Sequence, residues 1–416
     1  MKYLVLTLFA ALVLRPSVSG AAKEDTWRAQ IAQALHLSAT LPSLSAETHG
    51  RFEPEPGIVA ERVSYATTYG MRVPAIVYWP QKRTGKIPAL IVVNGHGGDK
   101  FSWYSFYTGI LYARAGAAVL TFDPLGEGER NPRKKSGTRA HDAVEKIIEI
   151  GPRMGGQMID DVRQAVSFLT ERPEIDLRRI AAAGYSLGSF VLSITGAIEP
   201  RLRACVLTGG GNLDGNNGYW DGAKPLCQGW PYQALRELGD RAAVIYALHA
   251  ARGPTLIFNG EQDEVVAIPR MGEPFFQDLR QRTLALRGAA GNVFDYAFEK
   301  GTSHRPYFIT RPVALWLERT LDLPNWTEAS IAAMPQTRIG DWATERGVEM
   351  DRLYATEVRE SGTRALGEAV PAPSREQLCV YNPADWDARK GILTLDHWVQ
   401  HVRHQLGLPP SAKKEK

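Results

Sequence analysis

Five short, almost uninterrupted apolar runs constrain this chain more than anything else in it: Ala89–Val93, Ala117–Phe122, Ile180–Ala183, Ala204–Leu207 and Thr255–Phe258. Each is too short to be a buried helix and lacks the polar alternation of a half-exposed strand. Each therefore reads as a strand covered on both faces. Val293–Phe298 is a candidate last strand. Helical patterns separate the runs, most clearly Ile159, Val162, Val166 and Leu169, with Asp160 and Asp161 expected in the first turn and Pro173 as the stop. Strands alternating with helices predict an α/β fold with a mostly parallel central sheet flanked by helices. Upstream, Ile58–Tyr65 and Arg72–Trp79 alternate apolar and polar residues around Thr67-Thr68-Tyr69-Gly70, which predicts a strand–turn–strand hairpin.

The flanks differ from this middle. Lys2 is followed by a mainly apolar run, Tyr3–Leu14, and then by the small residues of 17–22. The run falls short of the ~20 residues that span a bilayer, so it predicts a signal peptide, 1–20, cleaved after Gly20. The expectation is a secreted or periplasmic protein with no stable membrane anchor. Residues 21–57 read as a helical lead-in (Asp25–Leu44) and then a loop, 58–322 as the α/β unit, and 323–416 as a helical C-terminal extension packed on it. The extension ends in a helix with Ile392, Leu395, Val399, Val402 and Leu406 on one face. Residues 212–251, holding Trp220, Cys227 and Trp230, read as a lid-like insertion. The 49 basic and 45 acidic residues are dispersed, which argues against nucleic acid as a partner. Of three cysteines, Cys205 falls in a buried strand, leaving Cys227–Cys379 as the one disulfide to entertain. The cysteine spacings fit no zinc site. His397, His401 and His404 share a helix face, read as the solvated side rather than as metal ligands.

The chemistry centres on Gly184-Tyr185-Ser186-Leu187-Gly188, directly after the Ile180–Ala183 run. A serine between strand and helix sits on a sharp turn, and glycines two residues to either side let that turn pack closely. A serine hydroxyl is a weak nucleophile unless a general base and an orienting carboxylate follow. Asp263 follows the Thr255–Phe258 strand and His304 follows the last strand, so both fall at strand ends. Glu261, Glu264, Asp214 and Asp221 compete for the acid's role. Asn94-Gly95-His96-Gly97-Gly98 follows the Ala89–Val93 strand. It is the candidate oxyanion loop, with the backbone N–H of His96 or Gly97 meeting that of Leu187. Tyr185, Trp103, Tyr104, Trp220 and Trp230 are candidate pocket residues. Asp123, Glu127 and Arg130 read as loop braces.

The segments Asp161-Val162-Arg163, Arg172-Pro173-Glu174-Ile175-Asp176, Arg179-Ile180 and Gly184–Gly188 resemble the nucleophile region of dienelactone hydrolases, acetylxylan esterases and prolyl oligopeptidases. Phe122–Arg130 resembles a loop of bacterial acetylxylan-esterase-like hydrolases. The resemblance spans roughly Val63–Leu321. It implies the α/β-hydrolase fold and a Ser186–Asp263–His304 triad; together with the signal peptide, the expectation is an exported serine esterase needing no metal or organic cofactor. The expected substrate is a small-molecule or carbohydrate ester, such as acetylated xylan. Two rival readings are a prolyl-oligopeptidase-like peptidase and a catalytically silent binding protein. The ~60 residues before the fold are too few for the peptidases' propeller.

Overall fold

The computed structural model describes residues 20–144, 149–222, 226–288, 291–350 and 362–410. Of the expected signal peptide, 1–20, residues 1–19 lie outside the described residues. The main sheet is built from β1 (Glu47–Glu55), β2 (Ile58–Ala66), β3 (Arg72–Pro80), β4 (Ile87–Val93), β5 (Ala118–Phe122), β6 (Ile175–Tyr185), β7 (Ala204–Thr208), β8 (Thr255–Gly260) and β9 (Asp295–Glu299). Their spatial order is β1-β2-β3-β5-β4-β6-β7-β8-β9. The first three strands run antiparallel to their neighbours, and the pairs from β5 through β9 are parallel. Both faces carry a core. Ala89, Ile91 and Val93 of β4 point into one, Leu90 and Val92 into the other. That is why the run is continuously apolar.

The expected hairpin is β2–β3, but the loop predicted before Gly57 contains β1. Its sequence, ETHGRFEPE, has no apolar alternation, and its pairing with β2 is broken by two register shifts. An edge strand can take its hydrogen bonds from a neighbour without burying a face, so composition hides it.

The helices are α1 (Gly20–Ala34), α2 (Trp103–Arg114), α3 (Ile150–Thr170), α4 (Leu187–Ile198), α5 (Tyr219–Gly222), α6 (Leu226–Ala234), α7 (Arg241–Arg252), α8 (Ile268–Arg287) and α9 (Arg311–Leu321), with further helices after them. The lead-in helix thus lies earlier than expected. Asp160 and Asp161 sit in the middle of α3, not in its first turn. Gly151, Gly155 and Gly156 look like breakers but are close-approach sites: a Cβ there would lie 2.7 Å from Trp230, 2.6 Å from Pro231 and 2.0 Å from the Leu35 carbonyl oxygen, respectively. This gives a sign test. Gly391→Ala, in the Pro383–Leu393 helix with nothing nearer than 4.0 Å, is expected to stabilise by about 1 kcal/mol. Gly156→Ala is expected to cost about 1–3 kcal/mol and to loosen the end of α1. Urea unfolding of both variants checks it, and equal signs would refute the packing argument.

The 212–251 segment is only partly an insertion. Its α5 and α6 lie over α3 and α4, but α7 packs between α4 and α8 as the ordinary crossover from β7 to β8. The final amphipathic pattern is split at Thr394 into Pro383–Leu393 and Leu395–Gln405, so Ile392 belongs to the earlier helix. A two-stranded ribbon, Gln336–Arg338 with Arg364–Leu366, also falls in the extension, where no strand was expected. Trp342, Trp386 and Leu393 of the extension share one core with Tyr107 of α2. Among the described residues no helix is long and apolar enough to cross a membrane.

Candidate active site

From β4 the chain crosses one way to β5 and then the other way to β6. The loops leaving the C-terminal ends of β4 and β6 therefore diverge, and a crevice opens between them. Both sequence motifs lie there.

Ser186 leaves β6 with φ 54° and ψ −113°, a left-handed conformation unusual for a residue with a side chain. The flanking glycines make that turn possible. A Cβ on Gly184 would sit 2.5 Å from the Gly188 carbonyl oxygen, and one on Gly188 would sit 2.0 Å from that of Val93. Leu187 opens α4 immediately afterwards. An N–H in the first turn of a helix has no intrahelical acceptor and can face an anion.

His304 lies in the loop after β9 and Asp263 in the loop after β8. Parallel pairing of these two strands brings the loops together. His304 Nδ1 is 2.7 Å from Asp263 Oδ2, and both side chains are wholly buried. Asp263 Oδ1 also accepts the Val266 N–H at 3.3 Å, which fixes the carboxylate. With Nδ1–H donated to Asp263, Nε2 carries the basic lone pair. The Ser186 N–H is donated to the Thr208 carbonyl at 2.9 Å. A Cβ on the next residue, Gly209, would lie 2.7 Å from His304 Cε1. Tyr185, just before the serine, donates its hydroxyl to the His304 carbonyl at 3.2 Å, with the two rings 5.0 Å apart. The backbone of Thr208–Gly209 and the ring of Tyr185 thus join the imidazole to the serine's turn. Of the competing acids, Asp214 accepts the Tyr219 and Trp220 N–H groups, Asp221 pairs with Arg241 and Arg236, and Glu261 accepts from Gly301 N–H.

The loop after β4 is held rigid. Asn94 Nδ2 donates to the Phe122 carbonyl at 2.8 Å, and the Tyr104 hydroxyl accepts the Gly95 N–H at 3.1 Å. The His96 ring turns to Asp142 and Cys227, with Nε2 at 2.9 Å from Asp142 Oδ1 and 3.1 Å from Cys227 Sγ. What His96 can offer the crevice is its backbone. Cys205, Cys227 and Cys379 are all free thiols, so the entertained Cys227–Cys379 bond is absent. Cys227 sits beside the loop after β4 instead. Asp123, Glu127 and Arg130 are buried in ion pairs and hydrogen bonds within and beyond their loop.

A pocket of roughly 590 Å³ opens beside this loop, lined by His96, Gly97, Trp103, Tyr104, Tyr185 and Arg375 among others. Trp103, Tyr104 and Tyr185 are where the sequence suggested. Trp220 is not: it is fully buried, stacked on Phe190 at 5.3 Å, with its indole N–H donated to the Asn212 carbonyl. Trp230 packs over Gly151 of α3. Aromatic residues in an insertion look alike whether they line a pocket or fill a core. Arg375 escaped the sequence reading because it lies in an extension with no motif. It reaches the pocket by stacking over Phe101 and donating to Ser136 Oγ.

A strained serine turn between strand and helix, a strand-end carboxylate and a strand-end histidine thus lie at the same edge of a doubly wound sheet. Residues 90–389 match the family model described as "Alpha/beta hydrolase family", and the chain belongs to that family. Among curated relatives, 2,6-dihydropseudooxynicotine hydrolase of Paenarthrobacter nicotinovorans is 30% identical over 206 residues, 47% of this chain and 49% of that protein. The chain spans about half to three-fifths of the length of such relatives. Among solved structures, methylesterase BT1017 superposes with a TM-score of 0.60 at 19% identity, covering 93% of this chain and 75% of the other. Acetyl xylan esterase 1 from Thermoanaerobacterium sp. JW/SL YS485 gives 0.49 at 18%, covering 72% and 94%.

Proposed function

We propose that this hydrolase cleaves carboxylic esters through an acyl-enzyme on Ser186. The observation that carries the reading is the wholly buried His304 Nδ1–Asp263 Oδ2 contact of 2.7 Å, held against the strained turn that presents Ser186. His304 Nε2 takes the Ser186 proton as Oγ attacks the ester carbonyl. Negative charge developing on the carbonyl oxygen is met by the N–H groups of Leu187 and of His96 or Gly97. His304 then protonates the leaving alcohol, and water repeats the cycle on the acyl-enzyme. The pocket's volume and its mixture of aromatic rings and polar groups suit a sugar-sized ester, and acetylated carbohydrate is the favoured class. Export rests on the apolar Tyr3–Leu14 run and the small residues after it.

The test is hydrolysis of p-nitrophenyl esters from acetate to octanoate, with Ser186→Ala beside the wild type. Turnover highest on acetate and lower by roughly 10³- to 10⁶-fold in the variant is expected. Equal activity of the variant would sink the triad. A folded wild type inert on every chain length would sink the esterase reading.

A further inference from the structure

Beside the oxyanion loop, four side chains from three separate segments converge. His96 comes from the loop after β4, His141 and Asp142 from a single helical turn at Ala140–Ala143, and Cys227 from the first turn of α6. One donor atom from each lies within 4.8 Å of all the others. His96 Nε2, Cys227 Sγ and Asp142 Oδ1 stand 2.9–3.2 Å apart, and His141 Nε2 is 3.9 Å from Asp142 Oδ1. Donors bound at 2.0–2.3 Å around a tetrahedral ion lie roughly 3–4 Å from one another, so the cluster needs only small adjustments to close on one.

His141 is the second, independent observation. It is completely buried, and its Nδ1 faces the Leu125 carbonyl at 3.3 Å. Donation there fixes the tautomer and leaves a lone pair on Nε2. That Nε2 is buried with no hydrogen-bond partner. It faces Asp142 Oδ1, another acceptor, and the ring of His96, stacked at 5.0 Å and 6°. An imidazole lone pair buried against a carboxylate is costly with nothing between them. A cation supplies what is missing.

We propose that His96, His141, Asp142 and Cys227 form a binding site for one structural Zn²⁺. The donor set, two imidazoles, a carboxylate and a thiol, suits a borderline-soft ion. Without metal the Cys227 thiol donates to Asp142 Oδ1 at 3.2 Å. Binding exchanges that proton: Cys227 releases H⁺ to solvent and forms a Zn–S bond. Two anionic and two neutral ligands then cancel the ion's charge, which suits a buried site. All four valences go to the protein, as in structural rather than catalytic sites. The ion pins α6 and the Ala140–Ala143 turn to the loop that carries the His96 N–H, so His96 acts here as a positioning residue for the oxyanion loop.

The full chain, stripped with a chelator, is reloaded with Zn²⁺ or Co²⁺ and desalted. One equivalent of retained metal per chain is expected. The Co²⁺ form should show the intense visible bands of tetrahedral geometry and a thiolate charge-transfer band in the near ultraviolet. Cys227→Ser should lose that band, and His141→Ala should lower metal affinity about tenfold or more. X-ray absorption of the zinc-loaded wild type reads the site without any variant: one sulfur at about 2.3 Å and lighter donors at about 2.0–2.1 Å. No stoichiometric metal, an octahedral cobalt spectrum, or a zinc shell without sulfur would each overturn the proposal. These readouts do not depend on the esterase reading, so the two can fail separately.

Discussion

Asp263→Asn is expected to lower kcat for ester hydrolysis by about 10⁴-fold while leaving the fold in place. The reason lies in the two jobs of one carboxylate. Asp263 Oδ1 accepts the Val266 N–H and Oδ2 accepts from His304 Nδ1. An asparagine that keeps its oxygen on the Val266 cap turns its NH₂ toward His304. The imidazole must then present a bare Nδ1 to that NH₂ and carry its proton on Nε2, the nitrogen that should receive the Ser186 proton. The base is removed without removing a side chain. If the amide flips to keep the histidine bond, it loses the cap instead, at about 1 kcal/mol. Activity and urea unfolding measured on the same preparation separate these outcomes. A variant within tenfold of wild-type activity would mean that another acid orients His304. Glu261→Gln and Glu264→Gln would then be the substitutions to make.

Lys100→Met is expected to be the most destabilising single change among the buried ion pairs, at about 3–5 kcal/mol. Lys100 Nζ is fully buried between Asp123 Oδ2 at 2.5 Å and Glu129 Oε2 at 2.8 Å, over the ring of Phe101. Burial works against its charge, but the two carboxylates more than offset this and raise its pKa. Removing the ammonium leaves two carboxylates facing each other without solvent. The damage should spread, because Glu129 is also the anchor of the extension. Its carboxylate accepts the Val380 and Tyr381 N–H groups at 2.9 Å each, and its carbonyl accepts from Trp386 Nε1 at 2.8 Å. Limited proteolysis should therefore cut first around 362–380 in the variant. The solvent-exposed Arg319–Glu328 pair is the control, and Arg319→Met should leave the urea midpoint unmoved. A Lys100→Met protein as stable as that control would show that the cluster is protonated rather than ion-paired.

The comparison of sequence with structure divides along a physical line. The inner parallel strands were legible because a strand buried on both faces must be apolar at nearly every position, a demand each residue of β4 meets by itself. The Ser186 turn was legible for a similar reason: Gly184 and Gly188 are needed by contacts within the turn and with the adjacent Val93. Features that depend on a distant partner were not. β1 exists because β2 offers it hydrogen bonds. Gly151, Gly155 and Gly156 find their reason in α3 only once Trp230, Pro231 and Leu35 lie against them. Trp220 became core because Phe190 was in reach, and Cys227 met His96 rather than Cys379.

The sequence by itself determined the α/β scaffold and the strand ends where Ser186, Asp263 and His304 would fall. It did so because periodic burial and sharp turns are local demands, written in consecutive residues. Only the tertiary structure decided which carboxylate meets the imidazole, which aromatic rings face the pocket, and that His96, His141, Asp142 and Cys227 share a few ångströms. Those outcomes depend on distances between segments up to 131 residues apart, which packing sets and no local pattern encodes.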